Sequence, residues 1–225
     1  MPRVFVTISW ITVNNFNLIY TIQILPAIII GLTFHEFSHA YIAYLCGDYT
    51  AKDLGRLSLN PIKHIDPLGF ILIIFAWFWW AKPVTFNEYN LKNKDTDIIK
   101  IAVAWPLSNA LLAIVFSGIF VFIANTISEA SFDSYNFFIE MVYYGIFINW
   151  GLFIFNLIPI PPLDGSHVFL NSCKNHPGYA SLQKWWTIGL FAILILESQT
   201  GLDILPISPV INYLGEWSLK IFGYQ

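Results

Sequence analysis

The sequence predicts an all-α polytopic membrane protein with about four to five transmembrane helices and a short re-entrant or β-like element between the first two. Three observations predict it. The chain is 56% hydrophobic and 11% charged, where soluble domains average roughly 25% charged, and its mean hydropathy is +0.62. Four stretches approach the run of about 20 apolar residues that a helical span requires. Twenty Phe, 11 Tyr and 9 Trp suit a lipid-facing core with aromatic belts at the interfaces. A formal net charge of -3 offers no basic bias toward nucleic acid. The lipid bilayer is therefore the expected surrounding, and residues 1–225 read as a single domain.

The first residues alternate in polarity like a short strand or interfacial segment, with no small-residue cleavage site of a signal peptide. The first span runs from about Asn17 to Cys46 and contains a polar island, His35 to His39. The second covers about Ile98 to Asn125 and the third about Phe137 to Pro162. A fourth centres on Trp185 to Leu196. The run Leu68 to Ala81 is too short for an ordinary span and reads as re-entrant or interfacial. The C-terminal piece Val210 to Tyr224 is amphipathic and suits a surface position. Cys46 and Cys173 lie in no CxxC pair and read as two buried thiols.

Sidedness follows from charge. If Leu68 to Ala81 does not cross, nine of the 11 basic residues fall on one side: Lys52, Arg56, Lys63, Lys82, Lys92, Lys94, Lys100, Lys174 and Lys184. Arg3 and Lys220 remain on the other. The positive-inside rule makes the basic side cytoplasmic. If the short run crosses, the basic residues divide far more evenly.

Within the first span, His35-Glu36-Phe37-Ser38-His39 is HExxH. On a helix the two imidazoles, four residues apart, project from one face. That spacing suits two nitrogen ligands on one Zn²⁺, with Glu36 beside the open coordination position. Ionisable groups inside an apolar helix are costly and mark function. A catalytic zinc needs a third protein ligand. Asp164 follows the Pro-broken end of the third span, and His167 competes with it, with His64 and His176 as weaker choices. In the non-crossing arrangement, HEFSH and Asp164 reach the same side at similar depth. In the alternating five-span arrangement they end on opposite faces.

These residues resemble the site-2 protease family of intramembrane zinc metalloproteases, and its compact bacterial members in particular. The resemblance spans about residues 27 to 167 and rests on four ordered blocks: HEFSHA, NPIKHIDPLG, AKPV and NLIPIPPLDG. It implies a zinc site of His35, His39 and Asp164, Glu36 as catalytic base, and hydrolysis of a peptide bond within or beside a substrate's transmembrane helix. It implies a prokaryotic cell membrane, with the active site toward the cytoplasm and a membrane protein as substrate. Family members often carry Gly-Pro followed by Asn at the start of the central span. Here the stretch is Ala104-Trp105-Pro106-Leu107-Ser108-Asn109. Asn109 is a candidate to donate to a developing oxyanion or to hold a substrate strand. Pro83 and Val84, in the short edge-like KPV stretch, are candidates to hold an unwound substrate by β-augmentation. Two other classes are weighed beside this reading: a non-cleaving binder of membrane helices on the same fold, and a metal transporter. A transporter needs polar residues along a whole path, yet the second span just beyond Asn109, from Ala110 to Phe116, is apolar.

Overall fold

The computed structural model describes residues 18–66, 84–127, 129–170, 173, 176–202 and 204–224. The run Leu68 to Ala81 and Pro83 lie outside the described residues, as does the alternating N-terminal segment. Helix α1 is Leu18–Leu45 and α2 is Thr50–Asp53. Two 3-10 turns follow, Pro61–Lys63 and Glu88–Asn90. Helix α3 is Lys94–Thr126, α4 is Glu129–Leu157, α5 is Gly165–Phe169, α6 is Tyr179–Thr200 and α7 is Ser208–Ile221. Among the described residues, four helices are long and apolar enough to cross a membrane: α1, α3, Ser134–Leu157 of α4 and Tyr179–Glu197 of α6. The all-α polytopic class is what the structure shows.

Helices α1, α3 and α4 pack on one another and form the core. Small residues let them approach. A Cβ added at Gly31 on α1 would lie 2.9 Å from Asn149 Oδ1 and Leu152 Cδ1 on α4. One added at Gly145 on α4 would lie 2.6 Å from Phe116 of α3. Between helices in lipid there is little hydrophobic drive, so close packing at small residues supplies much of the association.

The C-terminal piece differs from its expected surface position. Helix α7 buries Ile211, Gly215, Ser218 and Leu219 and packs on α3 and α4. Ser218 Oγ hydrogen-bonds Ser117 Oγ at 2.8 Å and accepts from Trp150 Nε1 at 3.2 Å. An amphipathic pattern records that one face is polar; here part of that polar face is satisfied inside the bundle. Cys46 is buried as expected, but Cys173 is exposed, since it sits in the loop before α6 and not in a packed helix.

The segments flanking the short apolar run return to the same end of the bundle. Lys92 N donates to Cys46 O just past the end of α1. The fully buried Asp48 carboxylate gathers donors from both sides of the run: Thr50 N and Oγ1, Asn87 N and Asn90 Nδ2. Burial alone would raise the pKa of Asp48, but the hydrogen bonds from Thr50, Asn90 and Asn87 outweigh it and hold the carboxyl below its ordinary value. The C-terminal end of α1, the N-terminal end of α3 and the C-terminal end of α4 thus share one end of the protein.

Just past α4, the chain turns tightly to reach Asp164. A Cβ on Gly165 would meet Leu157 O at 2.4 Å and Ile158 O at 2.6 Å, both backbone atoms with no freedom to swing aside. Gly189 in α6 has nothing within 4 Å of the same position. Gly165→Ala should therefore cost about 1–3 kcal/mol through overpacking, read as a lower unfolding temperature in detergent. Gly189→Ala should be neutral or slightly stabilising. Equal behaviour of the two variants would contradict the turn geometry.

Candidate metal centre

His35, Glu36 and His39 occupy the last three turns of α1, all buried. The helical spacing turns both imidazoles toward the segment after α4, where Asp164 sits with 4% exposure. His35 Nε2 lies 4.0 Å from Asp164 Oδ2, and His39 Nε2 lies 3.8 Å from Asp164 Oδ1. One carboxylate thus faces both rings, an oxygen to each.

The other nitrogen of each imidazole is committed. His39 Nδ1 lies 3.1 Å from the backbone oxygen of Ile101 on α3. A carbonyl only accepts, so this nitrogen carries the proton and Nε2 keeps its lone pair. His35 Nδ1 lies 2.8 Å from Asn109 Oδ1. Two backbone carbonyls fix which way that amide points. Asn109 Nδ2 donates to Gly31 O at 3.2 Å and to Asn149 Oδ1 at 3.1 Å. Asn149 Nδ2 in turn donates to Gly145 O at 2.8 Å. The oxygen of Asn109 is left to face His35, so His35 also carries its proton on Nδ1. Both Nε2 lone pairs point the same way, toward one carboxylate.

These donors fit a zinc ion. Two neutral imidazole nitrogens and a carboxylate are the ligand types of a catalytic zinc site. Ligands about 2.0–2.2 Å from a tetrahedral ion stand about 3.3–3.6 Å apart, so the observed separations of 3.8 and 4.0 Å close by about 0.2–0.7 Å on binding. Asp164 Oδ2 is buried with no hydrogen-bond partner. A buried carboxylate oxygen of that kind calls for a cation.

Glu36 is 2% exposed, and its Oε2 accepts from the backbone N of Val84 at 2.8 Å. The Trp105 ring packs against both imidazoles, with centroids 3.5 Å from His35 and 3.4 Å from His39, while those two rings are 6.0 Å apart. Of the alternative third ligands, His167 lines the cavity that also touches His39 and Asp164. His64 is held elsewhere, with Nε2 on Ser58 O at 2.6 Å. His176 is exposed and accepts from Gly178 N.

The structure therefore brings His35, Glu36, His39, Asp164, Asn109 and Val84 together. Asn109 is fully buried with both amide hydrogens engaged. That arrangement aims its oxygen at the His35 imidazole and leaves neither hydrogen for an oxyanion. Pro83 lies outside the described residues. Sequence reasoning missed Asn149, whose only signal was an amide within an apolar run, and the Val84 backbone donor, which has no side-chain signal.

A helical membrane bundle with HExxH on one span and a carboxylate brought beside it defines a class of zinc-dependent membrane peptidase. The profile of peptidase family M50 matches residues 23–196. The chain belongs to that family, the site-2 protease family, and is a zinc metalloprotease. It is 36% identical to YwhC of Bacillus subtilis, named as a candidate zinc metalloprotease, over 92% of this chain and 95% of that protein. It is 27% identical to Rip2 of Mycolicibacterium smegmatis over 70% of this chain and 61% of that protein. It is 31% identical to MJ0611 of Methanocaldococcus jannaschii over 68% and 72%. Both are named likewise as candidate zinc metalloproteases. No solved structure matches the chain.

The hydrogen-bond relay predicts a coupling. Asn149→Leu frees the Asn109 amide to turn and should lower zinc affinity about 10–100-fold, as loss of a partner behind a metal-bound histidine does. Added to Asn109→Leu, it should change zinc affinity by less than about twofold, because the route is already cut. Competitive chelator titration of the purified variants measures both. An equal loss in the two backgrounds would show that Asn149 acts by another route.

Proposed function

We propose that the protein hydrolyses a peptide bond within or beside a transmembrane helix of a membrane-protein substrate. His35, His39 and Asp164 hold the zinc, and Glu36 is the general base. The supporting observation is the convergence of both Nε2 atoms on Asp164 while both Nδ1 atoms are held by acceptors, with Glu36 on the same helical segment. Zinc supplies Lewis-acid polarisation of the carbonyl and a water nucleophile at neutral pH.

The chain's own residues do the rest. Glu36 takes the proton of the attacking water and returns it to the leaving amine. The Val84 N–H holds the Glu36 carboxylate in place. Asn109 keeps the His35 ring in the tautomer that leaves Nε2 free. Val84, which lines the adjoining cavity, holds an unwound substrate segment, and Pro83 before it in sequence is assigned the same role. The bundle works as one domain, with its metal core in residues 27–167. Its basic end, which includes the site, faces the cytoplasm of a prokaryotic cell.

The test is Glu36→Gln beside His35→Ala and Asp164→Ala in detergent-purified protein. Glu36→Gln should keep about one zinc per chain and lower cleavage of a single-span substrate by about 10²–10⁴-fold. His35→Ala and Asp164→Ala should lose both zinc and cleavage. Undiminished zinc-dependent cleavage by Glu36→Gln would remove Glu36 from its role. Zinc retained in Asp164→Ala would move the third ligand elsewhere.

A further inference from the structure

A cavity of about 160 Å³ opens against His39, Asp164 and His167. Among the described residues its remaining lining is apolar: Val84, Phe86, Ile98, Ile101, Ala102, Trp105 and Pro162. Most of these come from about two turns of α3, the helix that also supplies Ile101 O and Asn109 to the histidines. The opening therefore sits directly beside the reacting centre.

Its size and chemistry define an occupant. An apolar cavity of about 150 Å³ accommodates a benzene ring, so this one, of about 160 Å³, has room for one aliphatic or phenyl side chain. An indole is larger than that ring, and a charged side chain loses its hydration against carbon. We propose that this cavity is a side-chain subsite. It receives one apolar substrate residue, up to leucine or phenylalanine in size, next to the cleaved bond, and Trp105 and Ala102 set its limits. This rests on the proposed peptide-bond hydrolysis.

Ala102 and Trp105 allow opposite tests. Ala102 lines the cavity, so Ala102→Leu adds carbon there and shrinks it. Trp105→Phe keeps an aromatic face for the imidazoles and enlarges it. The substrate is a single-span helical peptide in which each residue flanking the cleaved bond is set in turn to Gly, Ala, Leu, Phe, Trp or Arg. At one of the two flanks, the zinc-loaded wild type should cut the Leu and Phe peptides at least about tenfold faster than the Gly, Trp and Arg peptides, the scale of discrimination available to an apolar pocket. Ala102→Leu should move the preference to Ala and Gly. Trp105→Phe should raise cleavage of the Trp peptide relative to Leu by about tenfold. Both variants should keep the zinc content of the wild type.

Binding to metal-free protein, followed by fluorescence anisotropy of labelled peptides, should rank the residues in the same order. Equal cleavage rates at both flanks, or flat binding to the metal-free protein, would overturn the subsite. A zinc-loaded protein that cuts no peptide of the series, yet binds them in the predicted order, would overturn the proposed hydrolysis and leave the subsite standing.

Discussion

The hydrogen bond from His35 Nδ1 to Asn109 Oδ1 is the constraint around which the bundle is arranged. A polar side chain in the interior of a membrane protein finds no water to satisfy it, so its partners must come from neighbouring helices. Asn109 meets this demand completely. Its oxygen serves His35, and its two hydrogens serve Gly31 O and Asn149 Oδ1. One side chain on α3 thereby touches α1 twice and α4 once. The relative height and rotation of the three core helices follow from satisfying one amide. Leaving any of these groups unpaired at depth costs about 1–3 kcal/mol or more, which makes a slipped register expensive.

Close packing and the relay depend on each other. Gly31 gives up its carbonyl to Asn109 and its missing side chain to Asn149 and Leu152. Gly145 does the same on the neighbouring helix, accepting from Asn149 while Phe116 fills the space beside it. Small residues here expose backbone oxygen as well as admitting a neighbour. Those oxygens settle every ambiguity in the network, because a carbonyl has only one hydrogen-bonding role. The tautomers of two histidines are thus set by main-chain atoms on α1, α3 and α4.

Much of this was legible before the structure. The spans follow from apolar length, and HExxH places two imidazoles on one face by helical arithmetic alone. Topology brought both Asp164 and His167 within reach, since the arrangement in which Leu68 to Ala81 does not cross carries them to the end that holds His39; the resemblance chose between them. The limits of legibility are physical. Asn109 was visible as a polar group in a span, but donating to substrate and accepting from His35 look alike in sequence; the difference lies in what its hydrogens touch. Asn149 stands alone between Ile148 and Trp150, with no spacing that ties it to the motif. Val84 contributes a backbone N–H, which every residue but proline possesses. The inward position of α7 rests on Ser117 and Ser218 meeting across 101 residues of chain, a pairing no local pattern encodes.

Helix α3 carries the same periodicity as α1, read against it. Ile101, Trp105 and Asn109 follow one another at four-residue steps and therefore line one stripe of the helix. The two helices run antiparallel, so the stripe meets the histidines in reverse order: Ile101 O holds His39, Asn109 holds His35, and Trp105 lies between. A glycine at the middle position would leave a wedge open between the two imidazoles. The indole fills it, contacting both ring faces, and the same ring forms a wall of the adjoining cavity. Rigidity at the two histidines and the size of the neighbouring space are consequently set by one side chain and cannot vary independently. A replacement that widens the cavity also loosens the stack behind the histidines, unless it preserves an aromatic face toward them.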